Sequence, residues 1–167
     1  SQGGQQLLEL VAHLRGEYPN IRALVLGGDS DAMHKLARHY GVTGHCELPG
    51  LVPYEALPRY INAMDLGLVL QPSNRSEAVG GAFQKIRQFI ACGRPVVAAA
   101  QGNDFLQRAE LGTLVPADDL KAQARAVRAW VEVPPAERRE WARRAVDYAS
   151  RHLSTRRALA ERLAFWQ

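Results

Sequence analysis

Apolar positions recur along this chain with two alternating spacings. Residues 5–18, QQLLELVAHLRGEY, set Leu7, Leu8, Leu10, Val11 and Leu14 on one helical face, and Pro19 stops the helix. IRALVLGG, residues 21–28, is a short apolar run ending in Gly27-Gly28, the pattern of a buried strand that turns into a loop. Helical spacing returns in DAMHKLARHYG, closed by Gly41, and a brief strand follows in HCELPG, which ends at Pro49-Gly50. PYEALPRYINAM predicts a third helix with Pro53 near its start and Pro58 in its first turn; DLGLVLQPS predicts the next strand. A helix over residues 82–92 and a strand over residues 96–99 come next, separated by Cys92-Gly93 and opened by Pro95. GNDFLQRAEL reads as a short helix and GTLVPADD as a last strand and turn, with Asp118-Asp119 as a helix N-cap. From Leu120 onward the pattern is helical, broken at Pro134-Pro135.

Helices and strands that alternate through short connections give parallel strands with helices on both faces. The expected fold is therefore α/β: a Rossmann-like three-layer αβα sandwich with a mostly parallel sheet, a helical C-terminus, and ligands at the carboxyl ends of the strands. The chain opens on a helix with no strand before it, so the first strand is expected to be absent and the chain to be a fragment. In a sheet of order 3-2-1-4-5-6 that position is central. Either upstream residues supply the strand, or the two halves of the sheet meet across a gap.

Composition narrows the classes. At 167 residues, 47% hydrophobic and 23% charged, the chain has the make-up of one soluble globular unit with its own core. It contains no apolar run of about 18 residues and no signal-peptide pattern, so a cytoplasmic protein is expected. Cys46 and Cys92 stand far apart without metal-ligand spacing, as reduced, mostly buried thiols do. Much of the net charge of +4 lies in AERREWARRAVDYASRHLSTRRALAERL, where Arg mixes with Glu. That segment reads as a solvated helix surface or as a basic face that meets an anionic membrane or a phosphorylated ligand. No RNA-binding or helix-turn-helix signature is visible, and no nucleic-acid partner is expected. His13, His34 and His39 fall on helices as surface residues; none pairs with a nucleophile or a ligand at recognisable spacing. No Asp-x-Asp pair offers octahedral oxygen ligation, so no metal is expected.

Two glycine loops carry the candidate chemistry. Gly27-Gly28-Asp29-Ser30 lies between a strand and a helix, where backbone amides and the helix dipole can take a phosphate. The same residues equally make a turn with Asp29 or Ser30 as N-cap, and a full GxGxxG or a P-loop lysine is lacking. The second loop, SEAVGGA (residues 76–82), feeds the next helix: Gly80-Gly81 permit close backbone approach and the first-turn amides point at an arriving anion. Lys85 either adds a cationic contact or faces solvent, and Gln88, three residues on, shares its face. A charge beside an amide suits phosphate and sugar hydroxyls. A receiver-type signalling domain would need an acidic cluster after the first strand and a lysine after the fifth, and neither is visible.

Four blocks in order resemble the C-terminal domain of retaining GT-B-fold glycosyltransferases, the group 1 family: IRALVLGGDSDAMHKLARHYGV, CELPGLVPYEALPRYINAMDLGLVLQPS, KIRQFIACGRPVVAA and AELGTLVPADDLKAQARAV. The resemblance implies a donor-binding domain over residues 1–150 and a C-terminal helix over residues 151–167 that packs on a missing N-terminal, acceptor-binding domain. It implies hexosyl transfer with retention from a nucleotide-sugar, UDP- or GDP-linked, which is substrate and not cofactor, in glycan biosynthesis, by a chain inactive on its own. By the same resemblance Pro49, Gly50 and Leu51 border the base, and Gly80, Gly81, Ala82 and Phe83 present amides to the diphosphate or sugar. Gln88 stands where the family has a ribose-holding glutamate, Gly80 where it has another; Glu77 and Lys85 are the candidate catalytic pair, with Gly27 and Gly28 beside the donor. The family's phosphate-binding arginine and lysine lie around its first strand and helix, where this chain has Gly3-Gly4. A catalytically degenerate nucleotide-binding or regulatory module is the alternative. The basic C-terminal helices fit an acceptor at the inner face of a membrane, such as a lipid-linked glycan, and fit a soluble acceptor equally.

Overall fold

The structure, a computed structural model, describes residues 2–70, 83–100 and 103–154. Its first helix, α1 (Gln2–Leu14), is apolar on two adjacent sides and serves two cores. Leu8 and Val11 pack with Ala23 of β1 (Ala23–Leu26), with Met33 and Ala37 of α2 (Ser30–His39), and with Val42. Leu10 and Leu14 pack instead with Leu70, Val97 and Val115 and with Ala124 and Val127 of α6 (Leu120–Glu132). The helix ends at Leu14, short of the Tyr18 expected from its pattern, because the Leu14 carbonyl is taken by Glu17 and Tyr18 amides at 3.0 and 2.9 Å, closing a turn.

β1 pairs in parallel with β2 (Cys46–Gly50), Ala23 opposite Cys46 and Leu26 opposite Gly50, with one irregularity between. The other strands, β3 (Gly67–Val69), β4 (Val96–Ala99) and β5 (Gly112–Val115), form a parallel sheet in the order β3-β4-β5. Every residue of β4 is buried, the mark of a central strand covered on both faces. On one face lie α1 and α6. On the other, Ile86 and Ile90 of α4 (Phe83–Ala91), Leu106 of α5 (Asp104–Arg108) and Trp141 and Ala145 of α7 (Pro135–Tyr148) pack with Val69, Val96 and Ala98. Burial of each such aliphatic side chain contributes about 1.5–3 kcal/mol. This is the Rossmann-like α/β sandwich the pattern predicts.

Two further details depart from the sequence pattern. The third helix is not continuous: Tyr54–Ala56 is a single 3-10 turn, and α3 proper spans Leu57–Asn62. Pro58 has no amide to give the Tyr54 carbonyl four residues back, so the Leu57 amide bonds to it and the turn tightens. At the C-terminus, Pro134 and Pro135 separate α6 from α7 as expected, but α7 then loosens into a π-turn over Ala149–Leu153.

The sheet itself is split. Among the described residues β1 pairs with β2 alone and β3 with β4 alone, so the strands form two separate parallel pieces, both packed against α1.

Candidate functional site

α1 begins against the Leu70 carbonyl at the end of β3, runs down beside the sheet, and β1 returns from its far end. The carboxyl ends of β1, β2, β3 and β5 therefore share one rim. The sequence-predicted residues that fall on described elements gather along it.

At the β1–β2 side, Gly27 and Gly28 have φ of 79° and 78°, and Gly50 has 74°, conformations that only glycine adopts without strain. The Gly27 amide donates to the Gly50 carbonyl at 2.7 Å, tying the two loops together. Leu51 is 86% exposed and Tyr54 64%, so with exposed Pro49 they form an apolar lip on an otherwise polar rim. Asp29 caps α2 by accepting from the Ala32 amide at 3.1 Å. The cap reading of this loop is thus realised by Asp29, and its carboxylate stands beside the free amides of the helix.

At the β3 side, α4 connects through Cys92–Pro95 to the start of β4, so its other end, at Phe83, lies toward the carboxyl rim. Lys85 is exposed in its first turn and Gln88 is half-buried one turn further on. Phe89 and Ile86 hold this helix to the sheet. Glu77, Gly80, Gly81 and Ala82, and the Phe83 side chain, lie outside the described residues.

Three polar residues join the rim that sequence patterns did not single out. Gln6 of α1 donates Nε2 to the Ala117 carbonyl at 2.9 Å, while its Oε1 is buried without a hydrogen-bond partner. Gln123, 2% exposed, donates to the same carbonyl at 2.7 Å. Asn103, 4% exposed, donates Nδ2 to the Ala99 carbonyl at 2.9 Å and fixes the turn after β4. The available signal was Gln123's place among the inward positions of α6, where LKAQARAV is otherwise small and apolar. Asp119 caps α6 through the Ala122 amide at 2.9 Å, as the sequence predicts.

Among the described residues the remaining titratable groups offer no nucleophile at this rim. Cys46 and Cys92 are half-buried and free, and burial pushes both thiols up, which keeps them protonated. No group of three His, Cys, Asp or Glu stands together among the described residues. No helix among them is long and apolar enough to cross a membrane. What the described part of the rim offers is glycine-bent backbone, amide side chains, exposed lysines in the first turns of α4 and α6 (Lys85 and Lys121) and an apolar lip, a set for holding a polar ligand with one flat or apolar end.

Solved structures share this arrangement. Sucrose-phosphate synthase from Thermosynechococcus elongatus superposes with a TM-score of 0.76 at 20% identity, over 98% of this chain and 41% of that one. Anabaena Alr3699/HepE in complex with UDP gives 0.72 at 21% identity, over 98% of this chain and 46% of that one. The C-terminal domain of a glycosyl transferase group 1 family protein, LpcC, from Francisella tularensis gives 0.72 at 16% identity, over 92% and 80%. These likenesses establish the fold, and the chain spans less than half the length of the first and second of them. No curated protein sequence matches. The family model for glycosyl transferases group 1 matches residues 1–148, nearly the whole chain, and the chain belongs to that family.

Proposed function

We propose that this chain is the donor-binding half of a retaining glycosyltransferase, which moves a hexosyl group from a UDP- or GDP-sugar to an acceptor held by a separate N-terminal domain. The observation that carries the reading is the rim itself: two glycine loops, an apolar lip and the start of α4 at the carboxyl ends of one set of parallel strands, where nucleotides bind in doubly wound folds. In this reading Pro49, Gly50 and Leu51 border the base, and Gln88 exchanges hydrogen bonds with the ribose hydroxyls, its amide serving as donor and acceptor. Lys85, with the amides of Gly80 to Phe83, meets the diphosphate. That is the charge which must be stabilised as the nucleoside diphosphate departs. Glu77 serves near the reacting sugar. The HepE structures in complex with UDP, and with UDP and glucose, support a nucleotide-sugar for this chain.

The whole protein would work in the cytoplasm on a glycan acceptor, with residues 151–167 packing on the acceptor domain. A basic C-terminal surface would meet a lipid-linked acceptor at the inner membrane face. A second reading, a nucleotide-binding module that has lost catalysis, is favoured by Gly80 and Gln88 standing where the family carries glutamates.

Calorimetric titration of the chain with UDP, GDP and ADP tests the site. Saturable binding of one nucleotide, weakened about tenfold by Lys85→Ala and by Gln88→Ala, is expected, each lost contact being worth roughly 1–1.5 kcal/mol. Binding unaffected by either substitution would remove the donor from this rim. Turnover by the full-length protein separates the transferase from the degenerate module.

A further inference from the structure

The end of the sheet opposite the rim holds a cavity of about 220 Å³. It lies where α5 hands over to β5, which leaves it at Gly112 and reaches the rim at Val115; α7 closes its other side. Leu111 and Trp141, both buried, form its inner lining, and the half-buried Tyr148 forms one wall. In the π-turn that follows α7 the His152 ring stands 4.6 Å from the Tyr148 ring, tilted by 41°, and lines the same cavity. Such turns are rare and are frequent at functional sites. The mouth carries two ion pairs, Glu110 with Arg144 at 3.9 Å and Asp147 with Arg151 at 2.8 Å.

Glu110 reaches this mouth from a strained backbone. Its φ of 54° is left-handed, and among the described residues no other residue besides glycine has a positive φ. The position ends α5: the Glu110 amide donates to the Gln107 carbonyl at 3.1 Å and the Leu111 amide to the Leu106 carbonyl at 2.8 Å. That pair of bonds is the helix end for which glycine is the usual residue. The Trp141 indole N–H donates to the Glu110 carbonyl at 2.8 Å and holds the strained residue in place. Strain of this kind persists only where the surroundings over-determine it, and it gathers at ligand sites. The Glu110 carboxylate is exposed and too far from Arg144 for a hydrogen bond, so both groups keep capacity for a ligand.

Charge, size and surface narrow the occupant. The two ion pairs balance, so the mouth does not select an anion, and a diphosphate would meet two carboxylates. A volume of about 220 Å³ falls below the roughly 300–1,000 Å³ of sites for drug-sized ligands, which leaves room for one ring and not for a nucleotide. Carboxylates beside guanidinium groups suit hydroxyls, each of which donates and accepts. An aromatic wall suits the C–H face of a pyranose, because the faces of aromatic rings carry the negative part of their quadrupole. We propose that this cavity is a binding site for one neutral hexose ring. Glu110 and Asp147 accept from its hydroxyls, Arg144 donates to them, and Tyr148 and His152 pack on its C–H face. β5 stands between the cavity and the rim, so loss of this site would leave the donor reading untouched.

Proton–nitrogen correlation NMR of the whole chain tests it with the methyl glycosides of glucose, galactose and mannose, each taken to about 50 mM. At least one glycoside should shift the Trp141 indole and the Glu110, Arg144 and His152 amides saturably, with the Gly27, Gly50 and Lys85 amides unmoved. Glu110→Gly relieves the backbone while removing the carboxylate, so it should keep or raise Tm and weaken the glycoside by about tenfold or more. Arg144→Gln should weaken it as well, with Tm little changed. Three results would overturn the site. One is cavity signals that none of the three glycosides moves. Another is unchanged affinity in Glu110→Gly with its Tm intact. The last is inorganic phosphate or uridine moving the same signals as strongly as the glycoside does.

Discussion

Gly67 is where the packing of α4 on the sheet can be tested most sharply. A methyl group at this position would sit 2.6 Å from Phe89 Cγ and 2.7 Å from both Cδ atoms. Cγ is the fixed end of the ring, so a ring flip does not clear the clash; Phe89 must change χ1 or α4 must lift from β3. Overpacking of this kind costs about 1–3 kcal/mol. Removing a glycine from a strand returns about 0.5–1 kcal/mol of backbone entropy. Gly67→Ala should therefore destabilise the chain by about 1–2 kcal/mol, roughly 2–8 °C in Tm for a chain of this size. Thermal and urea unfolding of Gly67→Ala, Phe89→Ala and the double variant form the assay. With the ring gone the methyl has room, so in the Phe89→Ala background Gly67→Ala should change sign and stabilise by about 0.5–1 kcal/mol. An equal cost in both backgrounds would refute the ring as the obstacle. Because Lys85 and Gln88 ride on the same helix, nucleotide affinity should fall in the single variant and partly return in the double.

Three further outcomes follow from local geometry. Asp119→Ala frees the Ala122 amide at the start of α6 and should cost about 1 kcal/mol in urea unfolding, whereas Asp119→Asn, which can still accept, should cost much less. Burial raises the Cys92 thiol above its usual 9.0, so iodoacetamide should label it at pH 8 more slowly in the folded chain than in urea, with a mass-spectrometric time course as readout. The hydrogen bond from Arg128 holds the Glu17 carboxyl below its usual 4.5. A lowered folded pKa adds stability that is complete above the unfolded value and is lost as pH falls through the folded one. The difference between the parent and Arg128→Ala in urea midpoint should therefore be present at neutral pH and shrink below pH 4.5.

The elements that sequence reads best are those whose pattern and burial agree. KIRQFIACGRPVVAA predicts a helix over residues 82–92 and a strand over residues 96–99, and the structure has Phe83–Ala91 and Val96–Ala99. Both cover the central part of the sheet, so nothing outside the segment competes with its own periodicity. PYEALPRYINAM reads less well because its shape turns on one missing amide at Pro58, which apolar spacing does not register. Gly3 and Gly4 look like helix breakers, yet they lie within α1, which is held by packing of Leu8, Leu10, Val11 and Leu14 into two cores. On the rim, Gly27, Gly28 and Gly50 were legible because positive φ demands glycine. Gln6 and Gln123 were not, because their shared acceptor, the Ala117 carbonyl, comes from another part of the chain.

The charges on the rim are unevenly placed, and this bears on how a diphosphate would be met. The Gly27-Gly28 loop looks like a phosphate cradle in sequence, but the Asp29 carboxylate occupies the Ala32 amide at the head of α2. A phosphate there would lose one donor and gain a like charge at hydrogen-bonding range. The start of α4 carries the opposite arrangement: no acidic residue stands in its first turn, and Lys85 is exposed there. In the proposed reading, a positive side chain with no acidic neighbour in the first turn favours an anion at that helix start, which would put the diphosphate toward α4. In that reading the loop of Gly27 and Gly28, next to the exposed Leu51 and Tyr54 lip, is left for the uncharged end of the donor. One exposed lysine in water of high dielectric contributes little on its own at a distance of several ångströms.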